Sequence, residues 1–122
     1  MILVDTSVWI EHLRRGVPEF ARSLDAGEVL GHPIVIGELA SGNLADRATC
    51  LADLQNLPRA VVATDAEALA LIEREALHGL GIGYADVCLL ASARLTPDAR
   101  LWTRDRRLAD VAARLRVASH EG

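Results

Sequence analysis

Apolar residues fall into two kinds of pattern along this chain. Short, nearly continuous apolar runs occur at 2–4 ("ILV"), 28–32 ("EVLGH"), 60–64 ("AVVAT"), 100–103 ("RLWT") and 116–119 ("RVAS"). Each is bounded by polar residues, glycine or proline, as in parallel strands buried on both faces. The stretches between them carry helical spacing. From Glu67 to His78 the residues Leu69, Ile72, Ala76 and Leu77 share one face, and Thr64 with Glu67 forms a capping box at the start. Leu108, Val111, Ala112 and Leu115 repeat the spacing near the C-terminus. Leu44, Ala48 and Leu51 predict a helix across 43–56, limited by Pro58. Pro18 suits the first turn of a short helix carrying Phe20 and Leu24. "YADVCLLASARL" is apolar nearly all round, so it is predicted to be a central helix. Strands alternating with helices predict an α/β fold, a parallel sheet of about five short strands with helices on both faces.

The bulk numbers narrow the setting. A chain of 122 residues, 51% apolar, makes one domain spanning 1–122 with one core. The net charge of -4 argues against a sequence-independent grip on DNA but leaves RNA open, since basic residues can cluster. No apolar run approaches the roughly 18 residues of a membrane span, and the N-terminus lacks a basic leader, so the expectation is a soluble cytoplasmic protein with no membrane partner. Thirteen arginines and no lysine exclude a P-loop and a lysine Schiff base within this chain. Cys50 and Cys88 form no CxxC pair, which argues against structural zinc; Cys88 is expected in the core. His12, His32, His78 and His120 are scattered and expected to serve as surface or packing residues, with the terminal "HEG" frayed.

The candidate chemistry lies in the acids. In open α/β sheets, ligands bind beyond the carboxyl ends of the strands. Asp5, Asp65 and Asp105 follow strands directly, and helix capping explains any of them taken alone. Asp65 fits that explanation, because Thr64 and Glu67 already mark a helix start. Asp5 in "DTS" and Asp105 in "TRD" have hydroxyl neighbours, which can orient water or a hard cation. Glu38 in "PIVIGELA" and Asp86 in "ADVCLLASA" lie in apolar surroundings, although a solvated helix residue and a helix N-terminal charge remain alternatives for them. If these four met at one sheet edge, they would repel one another unless cations bound, and an all-oxygen donor set selects Mg²⁺ or Mn²⁺. Spacing alone does not show that they meet.

Four pieces, "ILVDTSVWIEHL", "PIVIGELASG" around 33–42, "GIGYADVCLLASARL" at 81–95 and "LWTRDRRL" at 101–108, occur in an order and spacing that resembles the PIN-domain ribonucleases, in particular VapC-type toxins of VapBC toxin–antitoxin pairs. The resemblance covers essentially the whole chain and implies a single PIN-like domain. It places the family's acidic quartet on Asp5, Glu38, Asp86 and Asp105, and the hydroxyl positions on Thr6 or Ser7 and on Thr103. What it implies is a metal-dependent endoribonuclease holding one or two Mg²⁺ or Mn²⁺ ions. Asp5 and Asp86 would be direct ligands, and Glu38 and Asp105 second ligands or water-orienting groups. Ser7 and Thr103 would position the first carboxylates or water. Arg104, Arg106 and Arg107 are candidates for RNA phosphates, with solvated helix-start charges as the alternative; Arg14 and Arg15 form a weaker patch. The implied partners are an RNA substrate, a small VapB-type antitoxin and a second copy in a homodimer, with operator DNA reached only through the antitoxin.

Two other outcomes stay open at this point: a PIN nuclease of RNA maturation, and a non-catalytic PIN module that binds RNA or protein. A haloacid-dehalogenase-type phosphotransferase is disfavoured, because position 7 is serine where a second aspartate is required. The first helix carries Val8, Trp9, Ile10 and Leu13, more apolar surface than one core-facing stripe needs. Trp9 is therefore either core or part of a partner surface.

Overall fold

The computed structural model describes residues 1–119, so His120 and the terminal "HEG" lie outside the described residues. Three parallel strands, β1 (Ile2–Val4), β2 (Val29–Leu30) and β3 (Arg100–Trp102), form a sheet in the order β2-β1-β3. Seven helices accompany them among the described residues: α1 (Thr6–Arg15), α2 (Pro18–Asp25), α3 (Pro33–Ala40), α4 (Arg47–Gln55), α5 (Asp65–Glu75), α6 (Tyr84–Leu95) and α7 (Arg106–Arg114). Successive strand residues face opposite sides of a sheet. Leu3 and Val4, and likewise Leu101 and Trp102, are all buried, so both faces are covered. None of the helices is long and apolar enough to cross a membrane.

Two of the expected five strands shrink to single bridges, Arg59 beside Gly31 and Ala118 beside Leu101. Apart from the Ala60 and Ser119 amides, which donate to the Gly31 and Leu101 carbonyls, their backbone donors go elsewhere. Pro58 has no N–H to offer. Beyond Ala60, the Val61 amide donates to Thr96 Oγ1, the Ala63 amide to Ser92 Oγ and the Thr64 amide to Glu67 Oε1. In the last segment Arg116 turns left-handed at φ 63° and the Val117 amide closes α7 on Ala112. Both bridges are parallel, in keeping with the expected parallel sheet.

Helix α6 is buried at seven consecutive positions, Val87 to Ala93, and packs on α3, α5 and β3, so it is the central helix the composition predicts. Trp9 belongs to the core: it is buried and meets Phe20 edge-on at 4.6 Å, and Phe20 meets Trp102 likewise. The apolar surplus of α1 is Ile10 and Leu13, at 40% and 47% exposure. Two helices differ from expectation. In α5 the buried residues are Ala68 and Leu71, while Leu69 is 56% exposed because the helix packs through the 68/71 face; the helix stops at Glu75, left-handed Ala76 follows, and Leu77 is buried beyond it. Helix α4 starts at Arg47 rather than 43, since the Arg47 guanidinium reaches back to the carbonyls of Ala40 and Gly42, at 2.5 and 3.1 Å, and closes the end of α3.

One buried polar cluster ties α3 to α6. His32, 1% exposed, caps α3: its Nδ1 accepts from the Ile34 amide at 3.0 Å. That fixes the proton on Nε2, which donates to Ser92 Oγ at 2.9 Å. Burial, and then the positive charge of Arg59, hold the His32 pKa below its ordinary 6.5. This is the packing role expected of a histidine here.

Candidate active site

Asp5 does three things at the end of β1. Its amide donates to the Trp102 carbonyl across the sheet, and its carbonyl accepts from Val8 and Trp9 at the start of α1. It occupies the N-cap position, yet its side chain makes no capping bond. Instead Oδ2 accepts from Ser7 Oγ at 2.8 Å and from Thr103 Oγ1 at 2.7 Å. The capping explanation therefore fails for this carboxylate, which is buried at 7% exposure and carries no cationic partner.

From Asp5 a chain of bonds reaches two other acids. Thr6 Oγ1 donates to Glu38 Oε1 at 2.6 Å, tying α1 to α3. Thr103 Oγ1 accepts from the Asp105 amide at 3.0 Å, and Ser7 Oγ accepts from the Arg104 amide at 3.0 Å. Asp105 does cap α7, its Oδ1 accepting from the Leu108 amide at 3.1 Å. Asp86 joins electrostatically. Burial raises its pKa above the ordinary aspartate value, the Gly83 amide pulls it back, and repulsion from Asp5, Asp105 and Glu38 adds to the rise. Hydrogen bonds thus connect Asp5, Glu38 and Asp105 through Thr6 and Thr103, and Asp86 feels all three by charge repulsion.

A common feature links them. Each carboxylate has one oxygen tied to the protein: Asp5 Oδ2, Glu38 Oε1, Asp86 Oδ2 (from the Gly83 amide at 3.2 Å) and Asp105 Oδ1. Among the described residues the other oxygen of each has no protein donor, and none of the four is in a salt bridge. As the side chains lie, no group of three or more His, Cys, Asp and Glu residues among the described residues is close enough to hold a metal ion. The donor set is all carboxylate oxygen, oriented, uncompensated and partly desolvated, which fits a hard divalent cation.

The other predicted residues divide. Asp65 is structural, accepting from Tyr84 Oη at 2.5 Å, which raises the Tyr84 pKa. Thr64 and Glu67 make the capping box in both directions. Cys88 is buried. Arg104 pairs with Glu11 at 3.0 Å. Two supports escape a sequence reading: the specific bond from Thr6 to Glu38, and the Gly83 amide on Asp86. A glycine three positions before Asp86 is the signal that could have flagged the second. Beside Glu38 a groove of about 470 Å³ runs between α1, α3 and the 42–45 loop, lined by Ile10, Leu13, Arg14 and Leu44.

The family model described as PIN domain matches residues 2–114. Two relatives, each named Ribonuclease VapC32, come from Mycobacterium tuberculosis strains CDC 1551 / Oshkosh and ATCC 25618 / H37Rv. Each is 47% identical over 121 residues, covering 99% of this chain and 98% of its own length.

Proposed function

The chain belongs to the PIN-domain family, and from that premise we propose that it is the endoribonuclease toxin of a toxin–antitoxin pair, dependent on Mg²⁺ or Mn²⁺. The observation that carries the proposal is the half-used state of the four carboxylates around Asp86. Asp5 and Asp86, the two least exposed acids, would hold the cation directly, with Glu38 and Asp105 completing its sphere or orienting water. The cation supplies positive charge to the scissile phosphate and acidifies water.

The chain's own groups do the rest. Ser7 and Thr103 fix Asp5 Oδ2 so that Oδ1 points free; Thr6 does the same for Glu38. Water attacks phosphorus, the bond to the 3′-oxygen breaks, and that oxygen leaves as a 3′-hydroxyl beside a 5′-phosphate. The RNA 2′-hydroxyl is not the nucleophile, so no histidine pair is needed, in keeping with the structural duties of His12 and His32. Arg104, Arg106 and Arg107 stand beside Asp105 as phosphate contacts.

The groove beside Glu38 is where the tail of a small antitoxin would lie, with Ile10 and Leu13 supplying apolar surface. A second copy would form a homodimer, and operator DNA would be met through the antitoxin. The protein would act in the bacterial cytoplasm. The test is RNA cleavage by the purified chain with Mg²⁺, against the same reaction in EDTA. Cleavage only with the cation supports the proposal. Equal cleavage in EDTA breaks its metal part, and no cleavage of any RNA leaves a binding module.

A further inference from the structure

We infer that Arg107, seated in the notch left by Gly81, holds a non-scissile phosphate of the RNA strand; the inference rests on the nuclease reading above. The three arginines around Asp105 are not equivalent. Arg104 is engaged, with Nη2 on Glu11 Oε1 at 3.0 Å and its guanidinium 5.6 Å from the Trp102 ring centroid. Among the described residues, Arg106 and Arg107 make no hydrogen bond or ion pair. Of these two, Arg107 is exposed but lies against the loop before α6. Gly81 has φ +80°, and a Cβ there would lie 2.6 Å from Arg107 Nη1, 2.9 Å from Cδ and 3.1 Å from Cζ. The guanidinium occupies the space that the missing side chain leaves. Asp110 and Arg114 line the same shallow groove with Leu80 and Val111, and Asp110 does not pair with Arg107.

The location gives the seat its meaning. Arg107 is on α7, the helix capped by Asp105, and rests on the loop whose Gly83 amide holds Asp86. It lies at the seam of the two elements that deliver those acids. Four carboxylates repel an approaching polyanion. A cation on the helix that follows Asp105, paired with none of them, would offset that repulsion for the strand. Its forked donors, uncommitted among the described residues, match two phosphate oxygens. The same geometry could instead make Arg107 a strut for the Asp86 loop, and the experiment is chosen to separate the two.

Binding is measured by anisotropy of a fluorescein-labelled, mixed-sequence single-stranded RNA in Mg²⁺ buffer. The protein carries Asp5→Asn to prevent cleavage, and salt is varied. Thermal melts restrict the comparison to folded protein. Arg107→Ala is expected to weaken binding about three- to tenfold and to flatten the logarithmic salt dependence by about 0.7. Arg107→Lys recovers part of the affinity, and Arg106→Ala costs less than Arg107→Ala. Unchanged affinity in Arg107→Ala, with cleavage lost when Asp5 is restored, makes Arg107 a strut and overturns the inference. Equal losses for Arg106 and Arg107 overturn the seat. A parent that binds no RNA at low salt breaks the nuclease reading itself, and the anchor falls with it.

Discussion

The molecule contains two polar clusters built from similar parts and finished differently. Around His32, every group has its match: Nδ1 takes the Ile34 amide, Nε2 faces Ser92 Oγ, and that oxygen also takes the Ala63 amide. Around Asp5, hydroxyls again meet buried side chains, but each acid is left with one oxygen unanswered and with like charges for company. A closed network rigidifies a core. An open one costs stability until something arrives to complete it. The contrast teaches where to look for chemistry: at the polar cluster whose bonding is unfinished, more than at the one that is most buried.

The sharpest way to break the contrast is Asp5→Asn. It is nearly isosteric and keeps both backbone roles, so the fold should survive, while cleavage falls by about a thousandfold or more. Cleavage assays paired with circular dichroism check both halves, and a mutant that still cuts at the normal rate removes Asp5 from the chemistry. The opposite result is expected of His32→Ala. Losing the ring leaves the Ile34 amide and Ser92 short of a partner and opens a cavity, costing about 2–4 kcal/mol in denaturant unfolding. The remaining folded molecules should still cut RNA. The same node gives a pH dependence. The folded-state pKa of His32 lies below 6.5, so the unfolded chain takes up its proton first as pH falls. This contribution to stability is complete above about pH 6.5 and is lost below it; acid-side melts that stay flat in wild type, or still fall in His32→Ala by the same amount, would contradict the assignment.

Smaller effects test the supports. Thr6→Val unties Glu38 without touching an acid, and cleavage should drop by about 10–100-fold with little change in melting temperature. At the weak end, Asp86→Asn should raise the melting temperature of the EDTA-treated protein by about 1–3 °C while abolishing cleavage. The sign follows from its raised pKa: the folded state disfavours the charged carboxylate, so stability falls as pH rises through that pKa, and the amide escapes the penalty. No stabilisation would mean that Asp86 is not strained by its neighbours.

Much of this could be read from the chain and some could not. The runs at 2–4 and 100–103 announced strands because a wholly apolar stretch has few other uses. Those at 60–64 and 116–119 looked alike locally, but their amides are spent on Thr96, Ser92 and the end of α7, partners that no local pattern displays. Leu69 fitted a helical stripe and is exposed, since the face that packs runs through Ala68 and Leu71 and Leu77 reaches the core only after the helix has ended at Glu75. The four acids were visible as motifs in order. Their half-tied state was not, because Thr6 reaches 32 residues forward to Glu38 and Thr103 reaches 98 back to Asp5. The arginines were visible as a cluster, whereas their ranking depended on Glu11 and Gly81, which lie far from them in sequence.

Asp5 ends a strand and begins a helix entirely through its peptide group, while its side chain alone serves the acid site. The two duties are therefore separately heritable. On the proposed function, a single codon change at Asp5 would silence cleavage while leaving the architecture in place, so inactive descendants would be one step away, and so would the route back.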